Sequence, residues 1–182
     1  MSDHPHVPDD QPTPGPEPKT TIDELKLRHL MEQLRVDQSL PLALFGGFFG
    51  ALIGACAWAA LTYYTGWQSG IVAIGLGFLV GFTVRKLGKG IDKSFGVVGA
   101  VMALVGIVSG NLLVACVYIA EETGNAILDV VAGLDLETAG TILTETFSPV
   151  DLIFYGLAVY YAYKYSIRPM TEEELKSVLR PV

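Results

Sequence analysis

A short basic stretch, "RKLGKGIDK" at residues 85–93, separates two long apolar runs and carries residue types that bind phosphate. It holds four of the chain's twelve basic residues: Arg85, Lys86, Lys89 and Lys93. A nucleotide-binding P-loop requires a glycine, four further residues and then Gly-Lys-Ser/Thr. Thr83 stands where the first glycine belongs, and Gly90 follows Lys89. The stretch therefore does not fit a nucleotide loop, and we interpret it as a hairpin whose basic residues contact anionic lipid phosphate.

Catalytic side chains do not assemble from the remaining sequence. The three histidines fall within the first 29 residues, and no Ser/His/Asp or Cys/His set shares one depth of the apolar runs. Cys56 and Cys116 lie inside apolar runs and lack the spacing of a zinc site. We therefore expect a non-enzymatic protein without catalytic residues or cofactors. No metal centre is predicted either, with Glu121 and Glu122 as the weak candidates for a cation.

Four apolar runs in the sequence determine the predicted architecture, which positions the basic stretch and the polar residues. The chain is 51% hydrophobic and 17% charged, and residues 40–64 and 95–120 contain no charge at all. Runs longer than roughly 18 apolar residues are typical of membrane-spanning helices. We predict an all-α integral-membrane four-helix bundle with spans at residues 40–64, 67–84, 94–120 and 149–166.

The basic residues predict the orientation of this bundle. All twelve lie before residue 38, within residues 85–93 or after residue 163, and the other connections contain none. The positive-inside rule therefore places both termini and the hairpin in the cytoplasm. Twelve acids balance the twelve bases on that side, so the formal charge of −7 falls on the external face. Nucleic-acid binding does not fit this distribution, whereas divalent cations or a basic partner suit the external acids.

The segments outside the spans have distinct compositions. The Pro-rich tail has the composition of a disordered segment, and the segment after it has an amphipathic pattern that opens with a capping box at Thr21–Glu24. Two short amphipathic helices are expected in the acidic external segment. The predicted organisation is a tail at 1–20, a cytoplasmic helix at 21–38, the bundle at 39–167 with the external segment at 121–148, and a C-terminal cytoplasmic helix at 168–182.

Glycines spaced four apart favour close packing of the first three spans. They are Gly46, Gly50, Gly54, Gly77, Gly81, Gly106 and Gly110. The spacing favours packing within one chain and leaves open a homo-oligomer through the first span. The deep polar residues are Ser109 and Asn111. We expect Asn111 to hydrogen-bond to a neighbouring helix, with contact to a solute as the alternative.

Three stretches carry a resemblance to known proteins: "WAALTYYTGWQSGIVAIGLGFLVGFTVRKLGKG", "GVVGAVMALVGIVSGNLL" and "LIFYGLAVYYAYKYS". Over residues 41–166 the chain resembles a group of uncharacterised small bacterial multi-pass membrane proteins. The resemblance implies a bacterial inner-membrane location and four helices, and it supplies no catalytic residue.

The sequence thus favours a structural or interaction component of a membrane assembly. Its expected partners are membrane lipids and a protein bound through residues 21–38 or through the external acidic segment. The alternative is a small channel or transporter subunit in which Ser109 and Asn111 line the path. An enzyme acting on lipids or quinones at the membrane interface is the remaining hypothesis.

Overall fold

The computed structural model describes residues 20–66 and 70–181, so nearly all of the predicted disordered tail lies outside the described residues. The elements in chain order are β1 (Thr20–Ile22), α1 (Glu24–Val36), α2 (Leu40–Thr65), α3 (Ile71–Gly88), α4 (Lys93–Thr123), α5 (Ile127–Ala132), α6 (Leu136–Thr146), α7 (Asp151–Ser166), α8 (Glu172–Val178) and β2 (Leu179–Pro181). The described part of the chain is helical apart from one pair of three-residue strands. The described residues form two compact units, one from residues 20–30 with 170–181 and one from residues 31–66 with 70–169.

The smaller unit contains the antiparallel pair of β1 and β2, in which Ile22 lies opposite Leu179. The predicted capping box at Thr21 is wrong, because this pairing keeps the backbone extended through Ile22. Asp23 caps α1 instead, and its carboxylate accepts the N–H groups of Leu25 and Lys26 at 3.2 and 3.3 Å.

The C-terminal segment is shorter in helix than the predicted 168–182. The Thr171 capping box is present, with the Thr171 N–H donating to Glu174 at 2.8 Å. Helix α8 ends at Val178, because Leu179 is extended and begins β2.

The larger unit is a bundle of α2, α3, α4 and α7, in which α3 and α4 each contact both α2 and α7. Its interior contains many glycines and alanines beside larger residues such as Trp58, Leu76 and Phe95, and its surface carries many large apolar side chains. The buried positions of α2 are mostly glycine and alanine, whereas Phe45, Phe48 and Ile53 on the same helix are exposed. Water-soluble proteins place large apolar residues inside. Membrane helices instead pack through small residues and expose large ones to lipid.

Three helices are long and apolar enough to cross a membrane, namely α2, α3 and α4. A fourth span results if α6 and α7 count together, although these helices meet at an angle of 109°. Helix α7 alone has 16 residues, or about 24 Å at the usual rise, which is less than the roughly 30 Å hydrocarbon core. The described chain thus has the composition of a multi-pass membrane protein with three or four spans.

The bounds of all four helices differ from those of the predicted spans; α2 ends at Thr65 instead of 64, and α4 runs from Lys93 to Thr123 instead of 94–120. Helix α3 runs from Ile71 to Gly88 instead of 67–84, because its last turn includes Arg85 and Lys86, whose positive charges suit a helix C-terminus. Helix α7 begins at Asp151 instead of 149, because residues 149–150 form a turn. The Ser148 N–H donates to the Asp151 carboxylate at 3.0 Å, and this bond fixes the turn.

The two short helices expected between the third and fourth spans are present as α5 and α6, and both contact α4. Asp135 caps α6 by accepting the Thr138 N–H at 2.7 Å. This hydrogen bond to the ionised form lowers the pKa of the exposed Asp135 carboxyl. The cap is therefore complete at neutral pH and is lost when the pH falls through that lowered pKa.

All seven glycines singled out by their spacing lie against neighbouring helices. A Cβ at Gly46 would lie 2.7 Å from the Thr83 carbonyl oxygen, and one at Gly54 would lie 2.8 Å from Leu76. Gly81 faces Ala162 in the same way. The others meet Thr83 and Val80 from Gly50, Ala158 from Gly77, Leu76 and Ala51 from Gly106, and Trp58 from Gly110.

We expect Gly77→Ala to destabilise the bundle by about 1 to 3 kcal/mol, because its Cβ would overlap the backbone of Ala158. Gly75→Ala is the matched control on the same helix, since nothing lies within 4 Å of that Cβ. The measurement is the free energy of unfolding in detergent for the wild type and both variants. Equal stability of the two variants would show that α3 and α7 do not approach as closely as described.

Candidate functional site

The basic hairpin at residues 85–93 is held by the chain segments before α2 and after α7. The Ser39 N–H donates to the Gly88 carbonyl at 2.9 Å, and the Arg168 N–H donates to the Gly90 carbonyl at 2.8 Å. The Gln38 amide donates to Asp92 at 2.8 Å. Three separate parts of the chain therefore meet at one end of the bundle and fix the hairpin.

The four basic residues of the hairpin remain at the surface. Lys86, Lys89 and Lys93 are exposed, and Arg85 is half-buried. Asp92 pairs with Arg35 at 3.4 Å and leaves the hairpin's own bases free of ion pairs among the described residues.

Aromatic rings lie beneath two of these cations. The Arg85 guanidinium carbon lies 5.8 Å from the Phe82 ring centre and 5.9 Å from that of Tyr165. The Lys86 Nζ lies 5.4 Å from the Phe82 ring centre. In membrane proteins, aromatic rings next to basic side chains are typical of the interface where the lipid headgroups lie. Arg85 and Lys86 above their rings are therefore suited to contacting lipid phosphate.

The opposite end of the bundle is the acidic cap, which we define as residues 121–151. It carries seven carboxylates and no base. Leu128 on α5 is 80% exposed and Leu136 at the start of α6 is 92% exposed. Glu121 and Glu122, the weak cation candidates, are also exposed, and the described residues contain no group of three or more potential metal ligands. The acidic cap thus combines negative charge with exposed leucines.

A polar cavity of about 400 Å³ lies beneath the acidic cap, between α2, α4, α7 and the residue before α3. Its deep wall is formed by Trp58 of α2 and Asn111 of α4, which are 2% and 6% exposed. Its mouth is formed by Ser148, Asp151 and the exposed end of α6. The remaining lining residues are Gly70, Val150, Phe154 and Tyr155. Polar side chains from separate elements therefore surround one space.

Asn111 makes its hydrogen bonds at the deep wall of this cavity. Its amide nitrogen donates to the Ile107 carbonyl at 3.0 Å and to the Tyr155 hydroxyl at 3.1 Å. The second bond joins α4 to α7. The Trp58 indole N–H has no hydrogen-bond partner among the described residues, nor does the Thr62 hydroxyl one turn further along α2. Buried donors of this kind are uncommon, and a bound molecule or water normally satisfies them.

Ser109 does not share this cavity with Asn111. Side chains two residues apart on a helix point in roughly opposite directions. Ser109 therefore lines a separate cavity of about 230 Å³, together with Val131 and Leu134. A third cavity of about 590 Å³, between α2 and α4, is mainly apolar and includes Glu121. The structure does not bring the two predicted polar residues onto one path.

Trp58, Asp151 and Tyr155 are the cavity residues that sequence reasoning missed. The sequence offers one signal for them, because Asp151 and Tyr155 lie four residues apart and so share a face of α7. Nothing in the spacing relates this face to Trp58, which is almost a hundred residues away. Only α4, which packs against both α2 and α7, joins them.

The described helices indicate a multi-pass membrane protein with a basic end, an acidic end and a polar cavity near the acidic end. No family model, curated protein or solved structure matches the chain.

We expect the Asn111–Tyr155 hydrogen bond to couple α4 and α7 by about 0.6 kcal/mol, and at most about 1.7 kcal/mol, as interhelical bonds in membranes do. A double-mutant cycle with Asn111→Leu and Tyr155→Phe, measured by unfolding in detergent, gives this coupling. The same cycle with Ser109→Ala in place of Asn111→Leu is the control, and it should give no coupling. Equal coupling in both cycles would contradict a specific bond.

Proposed function

We propose that this chain is a non-enzymatic component of a membrane assembly that binds lipid at one end and a protein partner at the other. In this proposal it is a bacterial inner-membrane protein with four spans, in line with the resemblance noted in its sequence. Both termini and the basic hairpin face the cytoplasm, and the acidic cap faces outward. The distribution of charge between the two ends of the bundle supports this orientation.

The acidic cap is the observation that carries the proposal. Leu128 and Leu136 are almost fully exposed although they lie beside the carboxylates of Asp129, Asp135 and Glu137. An anionic membrane surface repels such a group, because the cap has no base to contact phosphate. A protein with apolar side chains flanked by lysine or arginine complements both properties of the cap.

The basic hairpin supports the lipid contact. Its lysines are exposed, and the hydrogen bonds from Ser39 and Arg168 hold it rigidly at the end of the bundle. The backbone of the hairpin is thus held in one place, and each exposed base contributes roughly 1 kcal/mol of attraction to an anionic surface.

The partner is tested by isolating the full chain in native lipid and identifying by mass spectrometry what is retained in stoichiometric amount. We expect one partner whose contacting segment is rich in lysine or arginine and whose retention falls at high salt. The double variant Leu128→Ser/Leu136→Ser should lose this partner at unchanged stability, because both side chains lie outside the core.

Leu25→Ser is the matched control on α1, since Leu25 is also strongly exposed. Retention in this control together with loss in the cap variant assigns the partner to the acidic cap. Loss of the partner in the control variant alone would assign partner binding to the predicted helix at residues 21–38. It would refute partner binding by the acidic cap. A protein that is always isolated alone would refute the interaction role.

The lipid contact is tested with Lys89→Gln/Lys93→Gln, which removes two exposed charges from the hairpin. At roughly 1 kcal/mol per base, the affinity for phosphatidylglycerol should fall about thirtyfold. Native mass spectrometry of retained lipid measures the change. Lys26→Gln/Arg28→Gln removes the same charge from α1 and should have a smaller effect, so equal loss in both variants would argue against the hairpin.

A variant with all four hairpin bases replaced by glutamine tests the orientation. We expect it to insert in mixed orientations, because the positive-inside signal between α3 and α4 is removed. Labelling of single cysteines placed in the hairpin and the acidic cap measures the outcome. Normal topology in this variant would contradict the role of the hairpin as a topology anchor.

A further inference from the structure

We infer that the polar cavity beneath the acidic cap is a binding site for a small organic ammonium ion that carries a hydroxyl or carbonyl oxygen. This inference rests on the cavity alone and does not depend on the proposed partner or lipid contact. Four features determine the ligand class: unused donors at the deep wall, a carboxylate at the mouth, aromatic walls and the size of the cavity.

The deep wall requires an oxygen acceptor. Trp58 is 2% exposed, and its indole N–H has no partner among the described residues. The Tyr155 hydroxyl accepts a hydrogen bond from Asn111, and its own proton has no described acceptor. Trp58 and Tyr155 line the same cavity, and an indole can only donate. A ligand hydroxyl or carbonyl oxygen between them removes the cost of burying unpaired donors.

The mouth requires a positive charge. Asp151 lines the cavity with a carboxylate whose one described hydrogen bond comes from the Ser148 N–H. The other charged groups at this end of the bundle are six further carboxylates of the acidic cap. The N-terminus of α7 contributes about half a positive charge, which the full charge of Asp151 outweighs. The electrostatic field at the mouth therefore attracts a cation and repels an anion.

The walls between mouth and deep end favour an organic cation over a metal ion. Phe154, Tyr155 and Trp58 supply aromatic rings, and the Phe154 ring packs against Gly70. Aromatic rings attract ammonium groups through their faces. One carboxylate is a poor site for Ca²⁺ or Mg²⁺, which need six or more oxygen ligands. The volume of about 400 Å³ lies in the usual range for small-molecule sites.

Choline is a suitable probe, because it combines an ammonium group with one hydroxyl. The chain has two tryptophans, so Trp67→Phe leaves Trp58 as the sole indole fluorophore. This protein is placed in nanodiscs of phosphatidylglycerol, which contain no ammonium group, and titrated with choline at constant ionic strength. We expect a saturable change in Trp58 emission. Tetramethylammonium, which lacks the oxygen, should bind at least tenfold more weakly.

A second arm separates a free ligand from a lipid headgroup. The same protein is placed in nanodiscs that contain phosphatidylcholine without added choline, and its emission is compared with that of the saturated sample. The same emission change without added ligand identifies the headgroup as the source. A change that requires free choline identifies a soluble ligand. No saturable change in either arm would overturn the inference.

Two variants test the residues by calorimetric titration, each checked for an unchanged melting temperature. Asp151→Asn should weaken choline binding at least tenfold and keep the hydrogen bond that fixes the turn, because the amide oxygen still accepts the Ser148 N–H. Asp129→Asn makes the same charge change outside the cavity and should bind choline as the wild type does. Unchanged affinity in Asp151→Asn would overturn the site.

Trp58→Phe keeps an aromatic ring and removes the indole N–H. We expect it to bind choline more weakly and tetramethylammonium with unchanged affinity, so that the preference for choline falls. If the role of Trp58 is purely structural, the variant should bind choline and tetramethylammonium more weakly by the same factor. Such an equal loss would refute the assignment of the indole N–H to the ligand oxygen.

Discussion

Close approach of the helix backbones is the constraint on which the rest of the structure depends. Glycines on α2, α3 and α4 meet backbone or the first side-chain atoms of a neighbouring helix. Where glycines let the backbones approach closely, little space remains between the helices, and many large side chains lie on the outer surface. The lipid-compatible surface is therefore a geometrical consequence of the interior, and both follow from where the small residues stand.

The same constraint explains why the polar cavity lies near the acidic end. Trp58 is the largest fully buried side chain, and it packs against Gly110 on α4. Its bulk interrupts the tight packing seen lower in the bundle, and the turn before α7 does not fill the space above it. The polar cavity therefore lies where the close packing of small residues is interrupted.

Much of the fold could be predicted because its signals are local. The charge-free runs predict α2, α3 and α4, and Gly124 ends α4 in the left-handed conformation that glycine allows. The bounds of α7 and α1 could not be predicted from these signals. They depend on a turn fixed by Asp151 and on the pairing of β1 with β2, which joins residues far apart in the sequence.

The residues of the polar cavity also fall into those that the sequence could predict and those that it could not. Asn111 stands out in the sequence because an amide inside an apolar run needs a partner. The identity of that partner, Tyr155, and the nearby unpaired Trp58 depend on the crossing of three helices. Ser109 has the same local signal as Asn111, and the structure places it on a different face of α4. Polarity alone therefore identifies candidates, and rotation about the helix axis decides which of them meet.

The glycine-lined contacts of α7 also bear on the order in which the chain assembles. Gly77 and Gly81 on α3, together with Gly96 and Gly99 on α4, form the groove that α7 occupies. With 16 residues, α7 is short for a spanning helix, and its sequence contains several tyrosines, whose hydroxyls are polar. Such a helix gains little from lipid alone and much from a groove already present. Stable placement of α7 in a membrane would therefore depend on the groove that residues 71–123 supply.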